Sequence, residues 1–361
     1  MNQTANRNSA GTRPSGFQIL VSFLLGVWMC LAILFTYQKP TLDVYEDSGH
    51  ALAHSIALAA KLLNGYGIVA ALLSFFFMYF VYKTLRRYPG FRVPLFIVSL
   101  IFGILNQLSL SLYYTDQFTF WTKGTTLYTI FIMAGQALIF YFLSLWFLQF
   151  LLPALVENKR GCRLKWHFIP TALIIFCCWL PWIIAYYPAS MDNDVFYQLG
   201  TTLGYMPRSN HHPWFASLVL AHFYKTGHAL GSDNLGIFLF VLIRDICLAM
   251  IFASVVMLLK ESGAREEVLV LSLAFYAVTP VFGAYAKHAF KDTLAGGLFT
   301  LFILCLIRSI RAVQEKEDSL RYYIFLGLSA LLCALFRNNF VYALLPALLF
   351  FVCYAIKKSR K

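Results

Sequence analysis

The sequence predicts an all-α fold, a polytopic transmembrane helical bundle of about ten spans. Hydrophobic residues make up 60% of the chain and charged residues only 12%, whereas a soluble domain usually carries about a quarter charged residues. Apolar runs long enough to cross a bilayer recur along the whole chain. We therefore expect an integral membrane protein, with residues 1–361 forming a single transmembrane domain.

The apolar runs define the spans in order along the chain. The first run follows a polar stretch and is longer than the core of a signal peptide, so it is expected to be a retained signal anchor. The last two runs are short and meet at the polar sequence Arg337-Asn338-Asn339, which favours a helical hairpin turning there. The predicted spans are 17–36, 67–82, 93–113, 127–152, 169–186, 235–259, 268–285, 293–310, 322–336 and 340–356.

Lysine and arginine concentrate in alternate loops, which predicts the orientation. If the N-terminus is cytoplasmic, all of these basic groups lie on one side, as the positive-inside rule requires. We therefore expect a multi-pass protein of the cell (plasma) membrane with both termini cytoplasmic. This distribution also accounts for the net charge of +13, so the lipid bilayer is a predicted partner and nucleic acid is not. The basic residues are Lys83, Arg86, Arg87, Arg92, Lys159, Arg160, Arg163, Lys165, Arg308, Arg311, Lys316, Arg321, Lys357, Lys358, Arg360 and Lys361.

The eight cysteines indicate no redox or metal chemistry. Most of them lie inside apolar segments, where cysteine behaves as a small buried apolar residue. No Cys-x-x-Cys spacing occurs, so neither a disulfide framework nor a thiolate metal site is predicted.

Two long polar stretches are expected outside the membrane. The first, about residues 37–66, contains a sequence typical of a surface helix. It also places Glu46, Asp47, His50 and His54 at spacings that suit either a zinc site or a solvated amphipathic helix. The second stretch, about residues 187–234, includes an apolar segment too short to span, which predicts an interfacial helix.

This second stretch carries most of the chain's chemically useful side chains. Asp192 and Asp194, separated by one residue, could bind a divalent cation or provide a general base, or they could simply be solvated acids. Gln198, His211 and His212 follow in the same loop. These residues require no cofactor, although the acids leave a divalent cation as an option.

Cationic groups in two other stretches are expected at the same membrane face. Lys287, Lys291 and Asp292 lie between the seventh and eighth predicted spans, and Arg337 and Asn338 lie in the last hairpin. Such cations could hold a phosphate group. The alternative is lysine and arginine side chains that only snorkel from helix ends to the interface.

Arg244 and Asp245 lie in the middle of the sixth predicted span. Charged residues inside a membrane are costly and usually mark function. Because neighbouring residues on a helix point about 100° apart, we expect each to pair with polar groups elsewhere in the bundle. They are not counted among the candidate catalytic residues.

The spacing of Tyr187-Pro188, Asp194 and Gln198, followed by Ser209-Asn210-His211-His212-Pro213, resembles the first outer loop of GT-C superfamily glycosyltransferases. More distantly, the chain is similar to protein O-mannosyltransferases and lipid A aminoarabinose transferases. The resemblance covers about residues 169–340 and rests on short motifs. It implies an N-terminal four-helix part, residues 1–168, and a GT-C-like part, residues 169–361, with a catalytic loop at 187–234. Superfamily members usually carry more helices after this region, often with a soluble domain, and the sequence departs from that pattern.

The resemblance implies an inverting hexosyltransferase-type enzyme. It would transfer a sugar from a polyprenyl-phosphate-linked donor to an acceptor at the outer face of the membrane, in cell-envelope glycan, glycolipid or glycoprotein modification. Asp194 matches the superfamily acid that activates the acceptor, and Asp192 is the alternative. The implied substrate-binding residues are Gln198, His211, His212, Lys287, Lys291, Asp292, Arg337 and Asn338.

Two other functions fit the same residues. A transporter or flippase of a lipid-linked saccharide also needs cations that face a lipid phosphate, but it would more often show inverted repeats and broken central helices. A non-catalytic subunit of an envelope-assembly complex is the third alternative. The sequence defines neither the sugar, the acceptor and the linkage nor the oligomeric state.

Overall fold

The computed structural model describes residues 16–36, 51–87, 90–115, 126–153, 165–207, 212–317 and 320–359. Nearly all of these residues are helical, and the one β-bridge among them joins Ser190 to His288. The all-α class is therefore confirmed. The chain forms two compact units, Met1–Ala154 and Leu155–Lys361, while the predicted single domain with parts meeting at residue 168 stays a prediction.

The first unit is built from long apolar helices. Its core includes Met29, Val81 and Leu145. At Gly26 a side chain would be impossible without movement, because a Cβ atom there would lie 2.6 Å from the backbone nitrogen of Met78. The described helices of this unit are α1 (Gly16–Thr36), α2 (Ala51–Arg87), α3 (Val93–Thr115) and α4 (Thr126–Trp146), which continues into the π-helix Phe147–Leu151.

Helix α2 differs from the sequence prediction. A separate surface helix was expected before the second span, but the backbone runs as one helix of 37 residues from Ala51 to Arg87. The segment is rich in alanine and leucine, which favour helix, and it contains no proline that would break it. The surface helix and the second span are therefore continuous.

The second unit contains the remaining helices and the candidate site residues, from Asp192 to Asn338. Its main core surrounds Trp179, Val195, Phe240 and Leu248, which come from three different helices of the unit. Its described helices are α5 (Phe168–Ala185), α6 (Asn193–Leu203), α7 (Trp214–Ala229), α8 (Asp233–Glu261), α9 (Glu266–Val278), α10 (Pro280–Ala286), α11 (Lys291–Glu315), α12 (Leu320–Phe336) and α13 (Val341–Ser359), with the 3-10 turn Asn338–Phe340 before α13.

Helices α9 and α10 form one bent pair, with an angle of 43° at Thr279. Pro280 begins α10 and has no N–H, so the carbonyl of Tyr276 four residues earlier loses its helical donor. The indole Nε1 of Trp179 donates to that carbonyl at 3.0 Å. A break at membrane depth is tolerated because protein groups satisfy the freed backbone.

Eight of the described helices are long and apolar enough to cross a membrane, or nine if the bent pair is one span. Helix α12 is also apolar but has only 17 residues. The chain is therefore a multi-pass membrane protein, as predicted. The count of about ten spans and the orientation of the termini stay predictions.

Candidate functional site

Asp192 and Asp194 lie at the start of a short helix that the sequence analysis did not predict. Asp192 is the N-cap of α6, and its Oδ1 accepts a hydrogen bond from the Val195 backbone nitrogen at 3.1 Å. An aspartate at this position satisfies an N–H that would otherwise lack a partner. Val195 and Leu199, four residues apart, are buried on one face and hold the helix against the core. Capping and this spacing together stabilise eleven residues of helix within the stretch 187–234.

Asp194, in the first turn of α6, forms an ion pair with Lys291. The distance from Lys291 Nζ to Asp194 Oδ2 is 3.2 Å; the lysine side chain is 10% exposed and the aspartate side chain 48%. Lys291 is also the first residue of α11, where the helix dipole disfavours a positive charge. A nearly buried cation at this unfavourable position depends on nearby negative charge. Asp194 provides it from one side, and its exposed half remains open to solvent.

The next residue of α11 makes a second ion pair. Asp292 Oδ1 lies 2.9 Å from Nη1 of Arg337, which precedes the 3-10 turn between α12 and α13. Both side chains are a little over two-fifths exposed. The guanidinium also lies over the Phe340 ring at 5.8 Å. The first two residues of α11 therefore connect α6 on one side with the last hairpin on the other.

Lys287 and His288 occupy the short segment before α11. The Lys287 ammonium lies 3.6 Å from the centre of the Tyr186 ring. The His288 imidazole stacks on Phe290, with ring centres 4.5 Å apart and planes 10° from parallel. Tyr186 follows α5 directly, so the Lys287 contact ties this segment to the end of that helix.

His288 carries an electrostatic signature that the sequence did not reveal. Burial lowers the pKa of His288, and the positive charges of Lys287 and Arg244 lower it further, while the Asp192 carboxylate and the Ser190 backbone act in the opposite direction. The imidazole is therefore neutral at neutral pH. Sequence reasoning left His288 out of the candidate residues, although its place between Lys287 and Lys291 was visible.

Backbone hydrogen bonds join this segment to the loop that precedes α6. The Ser190 nitrogen donates to the Lys287 carbonyl at 2.8 Å, and the Ala289 nitrogen donates to the Ser190 carbonyl at 3.0 Å. The two strands of chain thereby lie side by side. The segment with Lys287 and His288 is fixed against the segment that leads into Asp192 and Asp194.

Arg244 and Asp245 are fully buried in α8 and bonded to each other. Nε and Nη2 of Arg244 donate to Asp245 Oδ1 at 2.9 and 2.7 Å. The expectation that neighbouring residues would pair elsewhere was half right. Arg244 also donates to the backbone carbonyls of Tyr285, Ala286 and His288, because a long side chain can bend back to its neighbour while its guanidinium reaches another helix.

The ion pairs of Asp194 with Lys291 and of Asp292 with Arg337, together with the neighbouring Lys287, form a charge cluster. The other candidate residues do not all belong to it. Gln198 is buried in α6, where its Nε2 donates to the Asp194 carbonyl at 3.1 Å and its Oε1 has no hydrogen-bond partner among the described residues. His212 is buried with its ring 5.4 Å from that of Tyr197. Asn338 is exposed in the 3-10 turn. His211 lies outside the described residues.

Metal ligation has no geometric support in the part of the chain that the structure describes. There, no three His, Cys, Asp or Glu side chains are grouped closely enough to hold a metal ion. The zinc candidate formed by the side chains of Glu46, Asp47, His50 and His54 lies outside the described residues. A divalent cation stays an option from the sequence only.

The fold and the charge cluster define a multi-pass α-helical membrane protein with a polar site at one end of its second unit. The model of a family of unknown function, DUF6020, matches residues 205–360. That range contains Arg244, Lys291 and Arg337 but begins after Asp192 and Asp194. No curated protein and no solved structure matches the chain.

Proposed function

We propose that the chain is a membrane glycosyltransferase that moves a sugar from a polyprenyl-phosphate-linked donor to an acceptor hydroxyl at the outer face of the membrane. The contact between Asp194 and Lys291 carries this proposal. A half-exposed carboxylate and a nearly buried ammonium lie 3.2 Å apart at the end of a membrane-spanning helix. The carboxylate suits a general base, and the ammonium suits an anionic leaving group.

The proposed reaction assigns each group one role. Asp194 takes the proton of the acceptor hydroxyl, whose oxygen forms a bond to the anomeric carbon. The bond from that carbon to the phosphate oxygen breaks with inversion, and its electron pair leaves with the polyprenyl phosphate. Lys291, Lys287 and Arg337 stabilise the charge on the phosphate, while Asp292 orients Arg337 through their 2.9 Å contact. Asp192 caps α6 and is the alternative base.

An apolar groove adds support for a lipid-linked substrate. It has a volume of about 780 Å³ and is lined at the α9–α10 bend by residues such as Phe275, Val278 and Pro280. Helix α10 has 7 residues, a length of about 10 Å, and leads from this bend to Lys287. A hydrocarbon chain in the groove would thus have its phosphate end within reach of the cationic cluster.

The proposal is tested with purified protein and a panel of labelled polyprenyl-phosphate sugars, with an envelope fraction as the source of acceptors. Release of polyprenyl phosphate is the measurement. Asp233→Asn is the matched control, since Asp233 is an acid in the same interspan region that bonds His228 at 2.7 Å and lies outside the cluster. Wild type and Asp233→Asn should release polyprenyl phosphate, and Asp194→Asn should not. Wild type that releases none from any donor, or release by Asp194→Asn at the wild-type rate, contradicts the proposal.

Two observations favour transport of a lipid-linked saccharide as a second candidate. The bent pair α9–α10 and the buried charges of α8 are features that broken-helix transporters share. Proteoliposomes separate the two functions. Movement of the intact lipid-linked sugar between leaflets without cleavage supports transport, and cleavage of the sugar–phosphate bond supports transfer.

A further inference from the structure

A guanidinium is enclosed in the middle of membrane-spanning helix α8. The side chains of Arg244 and Asp245 are 1% and 0% exposed. Buried charge of this kind is expensive and persists where specific contacts compensate for it. The contacts of Arg244 show what the charge is used for.

Arg244 satisfies the end of a short helix. Its Nη2 donates to the carbonyls of Ala286 at 2.6 Å and Tyr285 at 3.4 Å, and its Nη1 donates to the carbonyl of His288. These carbonyls lie at and just beyond the C-terminus of α10, where backbone acceptors lack helical donors and a positive charge is favoured. Asp245 Oδ1 accepts hydrogen bonds from Nε and Nη2 of Arg244. These two bonds fix the plane of the guanidinium.

The carbonyls that Arg244 holds belong to the segment that carries the site. Lys287 and His288 lie within it, and Lys291 follows after two residues. The same segment is bonded to Ser190 on its other side. Residues 285–290 are thus held between α8 and the loop that leads into α6, although these hydrogen bonds of Arg244 are not made to Asp194 or Lys291 itself.

We infer that Arg244, oriented by Asp245, is a positioning residue that fixes residues 285–290 and so sets Lys287, His288 and Lys291 in the candidate site. A lysine could not replace it, because one ammonium cannot present a planar fork to three carbonyls and a carboxylate. The role of the site rests on the proposed function, whereas the fixing of the segment does not.

Hydrogen exchange tests the fixing without any ligand. The paired variant Arg244→Leu with Asp245→Leu removes both charges together, so no buried ion is stranded, and Asp245→Asn is a milder second variant. The amides of Ser190 and Ala289, which bond across the bridge, should exchange at least about 10-fold faster in the paired variant, while amides in the middle of α11 are unchanged. Arg308→Leu is the control, since Arg308 pairs with Glu261, the last residue of α8. Unchanged exchange at Ser190 and Ala289 in folded protein of both variants overturns the inference.

Binding of bare polyprenyl phosphate then tests positioning by a thermodynamic cycle. Lys291→Ala and the paired α8 variant should each weaken binding by about 10-fold, and their combination should weaken it far less than the 100-fold product, because both act on the same cation. A full product would mean that Arg244 acts independently of Lys291 and would overturn the inference. Wild type that does not bind the lipid rejects the proposed donor, and the exchange result alone then decides the role of Arg244.

Discussion

The two ends of α11 both carry charges of both signs, yet they are built differently. At the N-terminal end, Lys291 is nearly buried and pairs with Asp194 from another helix. Toward the C-terminal end, a cleft of about 720 Å³ is lined by three arginines and three glutamates. There Arg308, 35% exposed, pairs with Glu261, 51% exposed.

The difference shows that the burial of a charged side chain distinguishes a candidate site better than the number of charges does. Exposed pairs such as Arg308 with Glu261 contribute about 0–1 kcal/mol and need no function to explain them. Lys291 lies against the helix dipole, is withdrawn from water, and meets an acid 97 positions earlier in the chain. Such an arrangement costs free energy to maintain, which a functional role explains.

The first prediction concerns the sides of the membrane on which the two ends of α11 lie. Its expected effect is all or none. Reporters fused after Lys165 and after Lys361 should both report cytoplasm, and a fusion near Tyr205 should report the opposite side, because basic residues concentrate in alternate loops. Paired alkaline phosphatase and fluorescent protein fusions measure this. A cytoplasmic Tyr205 fusion would place Asp194 on the wrong side for an outer-face transferase.

The second prediction removes the candidate base. Asp194→Asn should lower transfer by about 100- to 10,000-fold. The free energy of unfolding should fall by about 1 kcal/mol or less, since the side chain is half exposed and the amide oxygen can still accept from Lys291. Turnover and thermal unfolding are measured on the same preparation. The control is Glu261→Gln, which removes the carboxylate that pairs with Arg308 of α11. Loss in Asp192→Asn with retention in Asp194→Asn would transfer the role to Asp192, and retention in both would exclude a general base at this position.

The third prediction tests the second cation of the cluster. Arg337→Ala should weaken binding of polyprenyl phosphate by about 10- to 100-fold, because a charge-assisted contact to phosphate contributes about 1.5–3 kcal/mol. Arg337→Lys should recover only part, as it loses the two-pronged geometry. Arg308→Ala should bind like wild type. Equal affinities for wild type, Arg337→Ala and Lys291→Ala would exclude both cations from binding the phosphate.

The fourth prediction has the smallest expected effect and concerns the stability of the protein at acidic pH. Because the pKa of His288 is lowered from 6.5 in the folded protein, the unfolded chain binds the proton first as pH falls. The contribution of His288 to the stability of the folded protein is therefore present above about pH 6.5 and is lost below it. Between pH 7.5 and 5.5 the unfolding temperature of wild type should fall by a few degrees more than that of His288→Gln. His222→Gln, at an exposed position of α7, should follow wild type, and an equal fall in all three proteins would exclude His288 as the cause.

Hydropathy predicted most of the fold because a helix that crosses the bilayer needs about 20 consecutive apolar residues, which can be read directly from the sequence. Each predicted span coincides with an apolar helix except the seventh, which is the bent pair α9–α10. The segment Trp214–Ala229 is a helix as expected. The start of α6 was missed because its N-cap at Asp192 and its buried face at Val195 and Leu199 are short signals in a polar region. The continuity of α2 was missed because its two parts differ in hydropathy although both favour helix.

The sequence by itself determined the class of protein, the approximate positions of its helices and the residues with the greatest chemical potential. Only the tertiary structure brought Asp194 to Lys291 and Arg337 to Asp292, placed Gln198 in the interior, and revealed Arg244 as the group that holds the segment with His288. The physical reason is the range of the interactions. Transfer of a helix into the bilayer depends on about 20 consecutive residues, whereas an ion pair or a satisfied carbonyl depends on which distant helix packs alongside.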